Sequence, residues 1–245
     1  CRLTEFTLEG ISNIQGDFQC KDYSYVKEFV MPFIRVAGDM TIALNSGNVN
    51  TAAEIEFPKL QEIGGTLTLG SNSNANNIAF PSLKKILGSC SVTTTDLKND
   101  IEFTNLESIG TDGADEQIKF EIEATNILCP KLKTINGKFD IATSSFMFGM
   151  EVDKVSYPNV ESISENLSIT CPYSDFGSNG ILSIDFSGLK SVKGISISGQ
   201  GDVTDFSSFK YLFENNVLTG ESQWSVRECA YNPTYQDMKN GKYKQ

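Results

Sequence analysis

Histidine is absent from the 245 residues, so any chemistry rests on carboxylates, lysines, six cysteines and the arginines Arg2, Arg35 and Arg227. The usual neutral-pH general base is therefore missing. So are the Ser-His-Asp and Cys-His arrangements and most catalytic zinc sites. Carboxylate-only chemistry of the kind that cleaves glycosides or pectate stays open. It needs several Asp, Arg or Lys residues converging on one face, and the arginines lie far apart in sequence. Asp112, Asp115 and Glu116 in TDGADEQ offer oxygens to a cation. Their spacing matches no EF-hand loop, and a solvated acidic loop is the better reading. No catalytic residue, metal site or cofactor site is expected.

Aromatic and apolar residues offer contact chemistry instead. Phe146, Met147, Phe148 and Met150 form a run between polar stretches. Such a run reads as a protein-contact patch or as a satellite core folded over a sheet edge. Tyr173 and Phe176 in CPYSDFGSNG are candidates for stacking on a sugar ring, with Trp224, Tyr231 and Tyr235. The competing reading of these rings is packing within a cap.

The elements that must position these residues come from an internal repeat. The clearest unit, Ile55 to Leu69, reads IEFPKLQEIGGTLTL. It recurs as IAFPSLKKILGSCSV, IEFTNLESIG, ILCPKLKTINGKFDI, VSYPNVESISENLSI and IDFSGLKSVKGISI. Weaker echoes are IQGDF at Ile14 to Phe18 and VAGDMTI at Val36 to Ile42. The residues Ile14, Val36, Ile63, Ile86, Ile109, Ile135, Ile163 and Val192 are separated by 22, 27, 23, 23, 26, 28 and 29 positions. So regular a recurrence marks a repeat architecture.

Each unit holds two pieces of period two, IxF and GxLxI, whose apolar residues share one side of a strand. Between them PxLxxI reads as a tight corner, opened by Pro58, Pro81, Pro130 and Pro158, where a missing N–H costs little. One unit cannot bury its apolar face alone, but stacking on its neighbours makes a continuous core. Lys59, Lys84, Lys131 and Lys190 recur beside the corner and read as solvated positions. The segments SNSNANN, TDGADEQ, ATSSFMFGMEVDK and TCPYSDFGSNG read as loops of varying length, where binding usually resides.

The repeat also sorts the cysteines. An even number invites a disulfide framework. Cys90 instead aligns with the inward Leu67 and Cys129 with the inward Phe57, while Cys171 continues the alternation of Leu167 and Ile169. These three read as small buried hydrophobes. Cys1, Cys20 and Cys229 lie toward the ends. Cys1 is either bridged to Cys20 or the lipid-modified first residue of a processed bacterial lipoprotein.

A solenoid needs covered ends. DFSSFKYLFENN places Phe206, Phe209, Leu212 and Phe213 on one helical face, with Asp205 as N-cap and Gly220 beyond the end. This is expected to be an amphipathic cap helix, followed by an extra strand or a docked tail. At the other end KDYSYVKEFVMPF suggests a short helix ending before Pro32.

Charge narrows the partners. The formal net charge is -11, with 20 Lys and Arg against 31 Asp and Glu, which disfavours nucleic acid and anionic membrane surfaces. No stretch approaches the roughly 20 apolar residues of a spanning helix.

The IxFPxLxxIxGxLxI unit resembles the receptor L-domain and its relatives over roughly residues 1 to 210. These are leucine-rich-repeat-like right-handed β-helices of growth-factor receptor ectodomains, fungal cell-wall proteins and surface proteins of gut Bacteroidetes. YNPTYQDMKNGKY resembles C-terminal tails of the bacterial group, which implies an exported bacterial protein. The chain departs from receptor L-domains in having few cysteines, half of them at core positions, and no adjoining cysteine-rich module. Receptor-type ligand binding is therefore not carried over, and the family supplies no catalytic residues.

The expected fold is an all-β, right-handed β-helix or leucine-rich-repeat-like solenoid of about eight coils. Residues 1–204 form the solenoid with its N-terminal cap, and residues 205–245 the C-terminal cap helix and tail. The expected function is a non-enzymatic, monomeric, cell-surface or periplasmic module that binds protein or glycan and does not span a membrane. The alternatives are a structural spacer of the cell envelope and a carboxylate-dependent polysaccharide-active enzyme.

Overall fold

The computed structural model describes residues 5–6, 10–21, 28–43, 53–70, 75–93, 101–112, 119–122, 127–142, 154–171, 183–199 and 203–245. The chain is mostly β, with parallel strands stacked as a solenoid and only a few short helices. It divides into two compact units: residues 1–111 with 121–131, and residues 112–120 with 132–245.

In the first unit the IxF motif builds a parallel sheet of six strands. They are Glu5–Phe6, Glu28–Val30, Ala53–Glu56, Ala75–Ala79, Ile101–Glu102 and Ile127–Leu128. Ile55, Ile78, Ile101 and Ile127 stand in register and are buried. The GxLxI motif builds another sheet from Phe18–Lys21, Met40–Ala43, Leu67–Gly70 and Cys90–Thr93. Its inward ladders are Phe18–Met40–Leu67–Cys90 and Cys20–Ile42–Leu69–Val92.

Between these two sheets lies a third, of two-residue strands such as Arg35–Val36, Glu62–Ile63, Lys85–Ile86 and Ser108–Ile109. Sequence reasoning assigned two strands per coil and missed this one. Two residues carry no periodic signature, and neighbouring coils supply the pairing that makes them a strand.

The PxLxxI corner is a β-turn. Leu60 N donates to Phe57 O at 3.3 Å, and Leu83 to Phe80 and Leu106 to Phe103 repeat the bond at 3.3 Å. Pro58 and Pro81 occupy the second turn position, for which a fixed φ is suited. The phenylalanine opening each turn points inward, and rings of successive coils stack. Phe57–Phe80 and Phe80–Phe103 are each 5.1 Å apart and within 10° of parallel. That distance is close to the strand spacing of about 4.8 Å, so the backbone ladder sets the ring stack.

The second unit repeats the pattern. Lys154–Ser156 pairs with Ser183–Asp185, and Thr134–Ile135 with Ser162–Ile163. Lys138–Ala142, Asn166–Cys171, Gly194–Gly199 and Trp224–Arg227 follow one another in parallel. Phe120 stacks on Phe139 at 4.7 Å, and Phe186 on Phe209 at 5.9 Å.

The C-terminal segment covers the last coil. Asp205 Oδ1 accepts from Ser207 N at 2.7 Å and starts a 3-10 turn, Ser207–Phe209, that runs into α1, Lys210–Glu214. Phe206, Phe209, Leu212 and Phe213 are all buried, as their spacing requires. The helix is shorter than the sequence suggests. Asn216, at φ 53°, breaks it before Gly220 is reached. The remainder supplies both an extra strand, Trp224–Arg227, and a docked tail with α2, Tyr235–Lys239.

Two further expectations are corrected. Glu28–Val30 is a strand, not the end of a helix, because Phe29 pairs in register with Ile55. Ala75–Ala79 is also a strand, with a register shift between Ala75 and Asn77. Pairing with Ala53–Glu56 there overrides a loop-like composition.

Candidate binding faces

Some titratable side chains on the described coils form single ion pairs between neighbouring coils. Arg35 Nε meets Glu62 Oε1 at 2.8 Å across register-matched strands. Lys190 Nζ meets Glu161 Oε2 at 3.0 Å and holds that carboxyl below its ordinary value, through the hydrogen bond first and charge second. The Lys190–Glu161 pair is exposed and contributes little stability, while the Arg35–Glu62 pair is part-buried. Asp112 accepts from Asn136 Nδ2 at 3.0 Å, while Asp115 and Glu116 lie outside the described residues. Among the described residues no three Cys, Asp or Glu side chains gather as a metal-binding group. Lys59, Lys84, Lys131 and Lys190 are exposed, as the repeat implied.

The cysteine reading holds where it is described. Cys90 pairs in register with Leu67 and is fully buried, and Cys129 is buried after Ile127–Leu128. Cys20 is a buried free thiol in the ladder with Ile42. Burial pushes the Cys20 thiol up to about 12 and raises Cys90 and Cys129 too, the last also through the charge of Cys90. Such thiols are poor nucleophiles. Cys1 lies outside the described residues.

Phe146, Phe148, Tyr173 and Phe176 also lie outside the described residues. Trp224 is inward-facing and 5% exposed. It packs edge-on against Phe209 at 5.6 Å and Phe213 at 5.1 Å, and its Nε1 donates to Pro233 O at 2.9 Å. Its ring is cap core, which leaves no open face for a sugar.

What the structure adds is on the outer side of the GxLxI sheet. Alternation that sends Leu67 and Leu69 inward sends Thr68 and Gly70 outward. In the first unit one outward ladder reads Gln19–Thr41–Thr68–Ser91, and beside it Lys21 pairs with Ala43 and Gly70 with Thr93. In the second unit the outward ladders read Asp140–Ser168–Ser196–Ser225 and Ala142–Thr170–Ser198–Arg227. Most positions hold a hydroxyl, a methyl or a hydrogen, Gln19, Lys21, Asp140 and Arg227 being the exceptions, and no aromatic ring stands among them. Lys21 is the charged outward residue of this sheet in the first unit, and further charged outward residues, among them Glu54, Glu56, Glu102, Arg35, Glu62 and Lys85, fall on its other sheets. The signal was present as TLT, SVT, LSIT and SIS, but serine and threonine between apolar residues read as filler when only the inward set is followed.

Compared with protein-family models, curated proteins and solved structures, the chain matches none.

Proposed function

We propose that the chain is a non-enzymatic binding or adhesion module of the cell surface or periplasm, recognising protein or glycan. The supporting observation is the outward row of small hydroxyl residues in each unit, Thr41–Thr68–Ser91 and Ser168–Ser196–Ser225, held on hydrogen-bonded coils. A rigid scaffold of this kind presents a preorganised surface, which limits the ordering cost of binding. The resemblance of the repeat to receptor L-domains, and of Tyr231 to Tyr243 to tails of gut Bacteroidetes surface proteins, supports export. In this reading Cys1 carries a lipid anchor, the protein is a monomer without cofactor, and Phe146 and Phe148 add a loop contact.

The test is an affinity pull-down of the purified protein from extracellular matrix, mucus glycans and bacterial envelope. It is repeated with Phe146→Ser/Phe148→Ser. The reading expects a saturable partner from at least one fraction, and loss of binding in the variant would place the loop at the contact. No partner from any fraction, with the fold intact, would overturn it in favour of a structural spacer, a reading favoured by the regular Phe57–Phe80–Phe103 stack.

A further inference from the structure

We infer that the N-terminal edge of the solenoid docks a second copy of this chain, through two-fold antiparallel pairing of residues 17–21 centred on Gln19. The inference goes beyond the reading above: it makes a closed pair of that reading's monomer and leaves the binding role untouched.

The first observation is an open core. Ile14 and Phe18 belong to inward columns whose next members, Val36 and Ile63 in one and Met40 and Leu67 in the other, are all 0% exposed. Ile14 and Phe18 themselves are only half-buried, and Ile11 near them is 38% exposed. The strands Glu5–Phe6, Asn13–Ile14 and Phe18–Lys21 are also the outermost of their three sheets. Apolar surface beside unpaired strand edges is what a further strand covers.

The second observation is where the backbone groups point. Phe18 N donates to Asp39 O at 2.8 Å, toward the next coil. Alternation along the strand turns the N–H and C=O of Gln19 the other way, off the end. Two copies related by a two-fold axis through Gln19 would exchange both Gln19 N–H···O=C bonds, the closely spaced pair of an antiparallel ladder.

The third observation is self-complementarity. About that axis Asp17 of each copy stands opposite Lys21 of the other, so the pairing sets two opposite charges face to face twice. Both residues are exposed. Phe18 stands opposite Cys20 of the other copy, and both lie on the core side, so the register keeps inward residues against inward ones. Opposite charges directly across an antiparallel pair stabilise it, and like charges do the reverse. An axis centred on Asp17 or on Lys21 would oppose like charges. The other end of the solenoid offers no matching edge, because Phe206, Phe209, Leu212 and Phe213 are buried there. Head-to-tail stacking therefore has no second apolar end, and contact between N-terminal edges closes at two copies.

The test is sedimentation equilibrium of the whole protein over the micromolar range, beside Lys21→Glu and Gln19→Pro. Lys21→Glu sets acid against acid at both cross-strand positions. Gln19→Pro removes an N–H that points off the end, where an edge strand tolerates proline. We expect wild-type protein to form a species of twice the 26.9 kDa chain mass, and each variant to associate at least tenfold more weakly while circular dichroism shows it folded. Should Gln19→Pro not fold, Lys21→Glu decides alone. Wild-type protein that stays a single chain throughout overturns the inference, the edge then being covered by another part of the chain or by a different protein. So does a pair that a folded variant retains at wild-type strength, and so does open-ended association. Capture from matrix, mucus or envelope is read separately, so the pairing and the binding role can each fail without the other.

Discussion

The backbone nitrogen of Gly65 donates to the carbonyl of Gly38 at 2.9 Å, one coil earlier, and a Cβ on Gly65 would lie 2.8 Å from the Gly38 carbonyl carbon. Gly88 repeats the relation to Gly65, with its N–H···O bond at 3.0 Å and a Cβ contact of 2.6 Å. The glycine of the repeat is thus a spacing device, because a side chain there would push successive coils apart. Gly16, at the start of the same column, would place a Cβ in open space.

Gly65→Ala should therefore destabilise the protein by about 1–3 kcal/mol, the usual cost of forcing an atom into filled space. Gly16→Ala should stay within about 0.5 kcal/mol of wild type. Urea unfolding of the two variants side by side checks this. Equal effects would mean that inter-coil spacing is not what the glycine supplies.

Phe80 lies between Phe57 and Phe103, 5.1 Å from each, and is fully buried. Phe80→Ala should cost about 3–5 kcal/mol, combining lost transfer energy with the cavity left between two rings. Phe80→Leu should recover much of that. Denaturation midpoints of the two variants give the comparison.

The raised thiols make a prediction about alkali. Because the folded value of Cys20 is above the unfolded one, its contribution is fully present below the ordinary thiol range near 8.5 and is lost as pH rises through the folded value of about 12. Stability should fall above about pH 9, and Cys20→Val should flatten that fall. Iodoacetamide at pH 8 should leave Cys20, Cys90 and Cys129 unmodified until the protein is unfolded, as read by peptide mass mapping.

The tail has its own pH dependence. Asp237 accepts from the Thr234 hydroxyl at 2.7 Å, from Thr234 N at 3.1 Å and from Lys242 Nζ at 3.2 Å. The side-chain bond from Thr234 first, and then its backbone bond, hold the carboxyl below its ordinary value. That support is complete above the unfolded carboxylate range near 3.9 and is lost as pH falls through the folded value. Amide exchange in Tyr235–Lys239 should quicken in acid, and in Asp237→Ala already at neutral pH. Uniform exchange across both conditions would remove the capping box as the anchor of α2.

The inward half of each coil was legible because apolar residues at period two recur in every unit. Leu67, Cys90 and Phe57 could be placed on the core side by alignment alone, and the structure puts them there. Arg35–Val36 and Glu62–Ile63 were not legible, since two residues become a strand only when paired with their neighbours. Glu28–Val30 was misread because its local composition suits a helix and its pairing partner, Ala53–Glu56, is remote in sequence. Thr68 and Ser196 carry the candidate face yet look ordinary in sequence. Their meaning lies in register across coils, which one strand does not display. At the cap the spacing of Phe206, Phe209, Leu212 and Phe213 announced burial, whereas the stop at Asn216 depends on a backbone angle.

The most direct test of the binding-module reading is a saturation binding measurement of the purified protein on whichever extracellular-matrix, mucus-glycan or envelope fraction captures it. The account predicts a saturable isotherm with the fold intact by thermal denaturation. A folded protein that no fraction captures would contradict it.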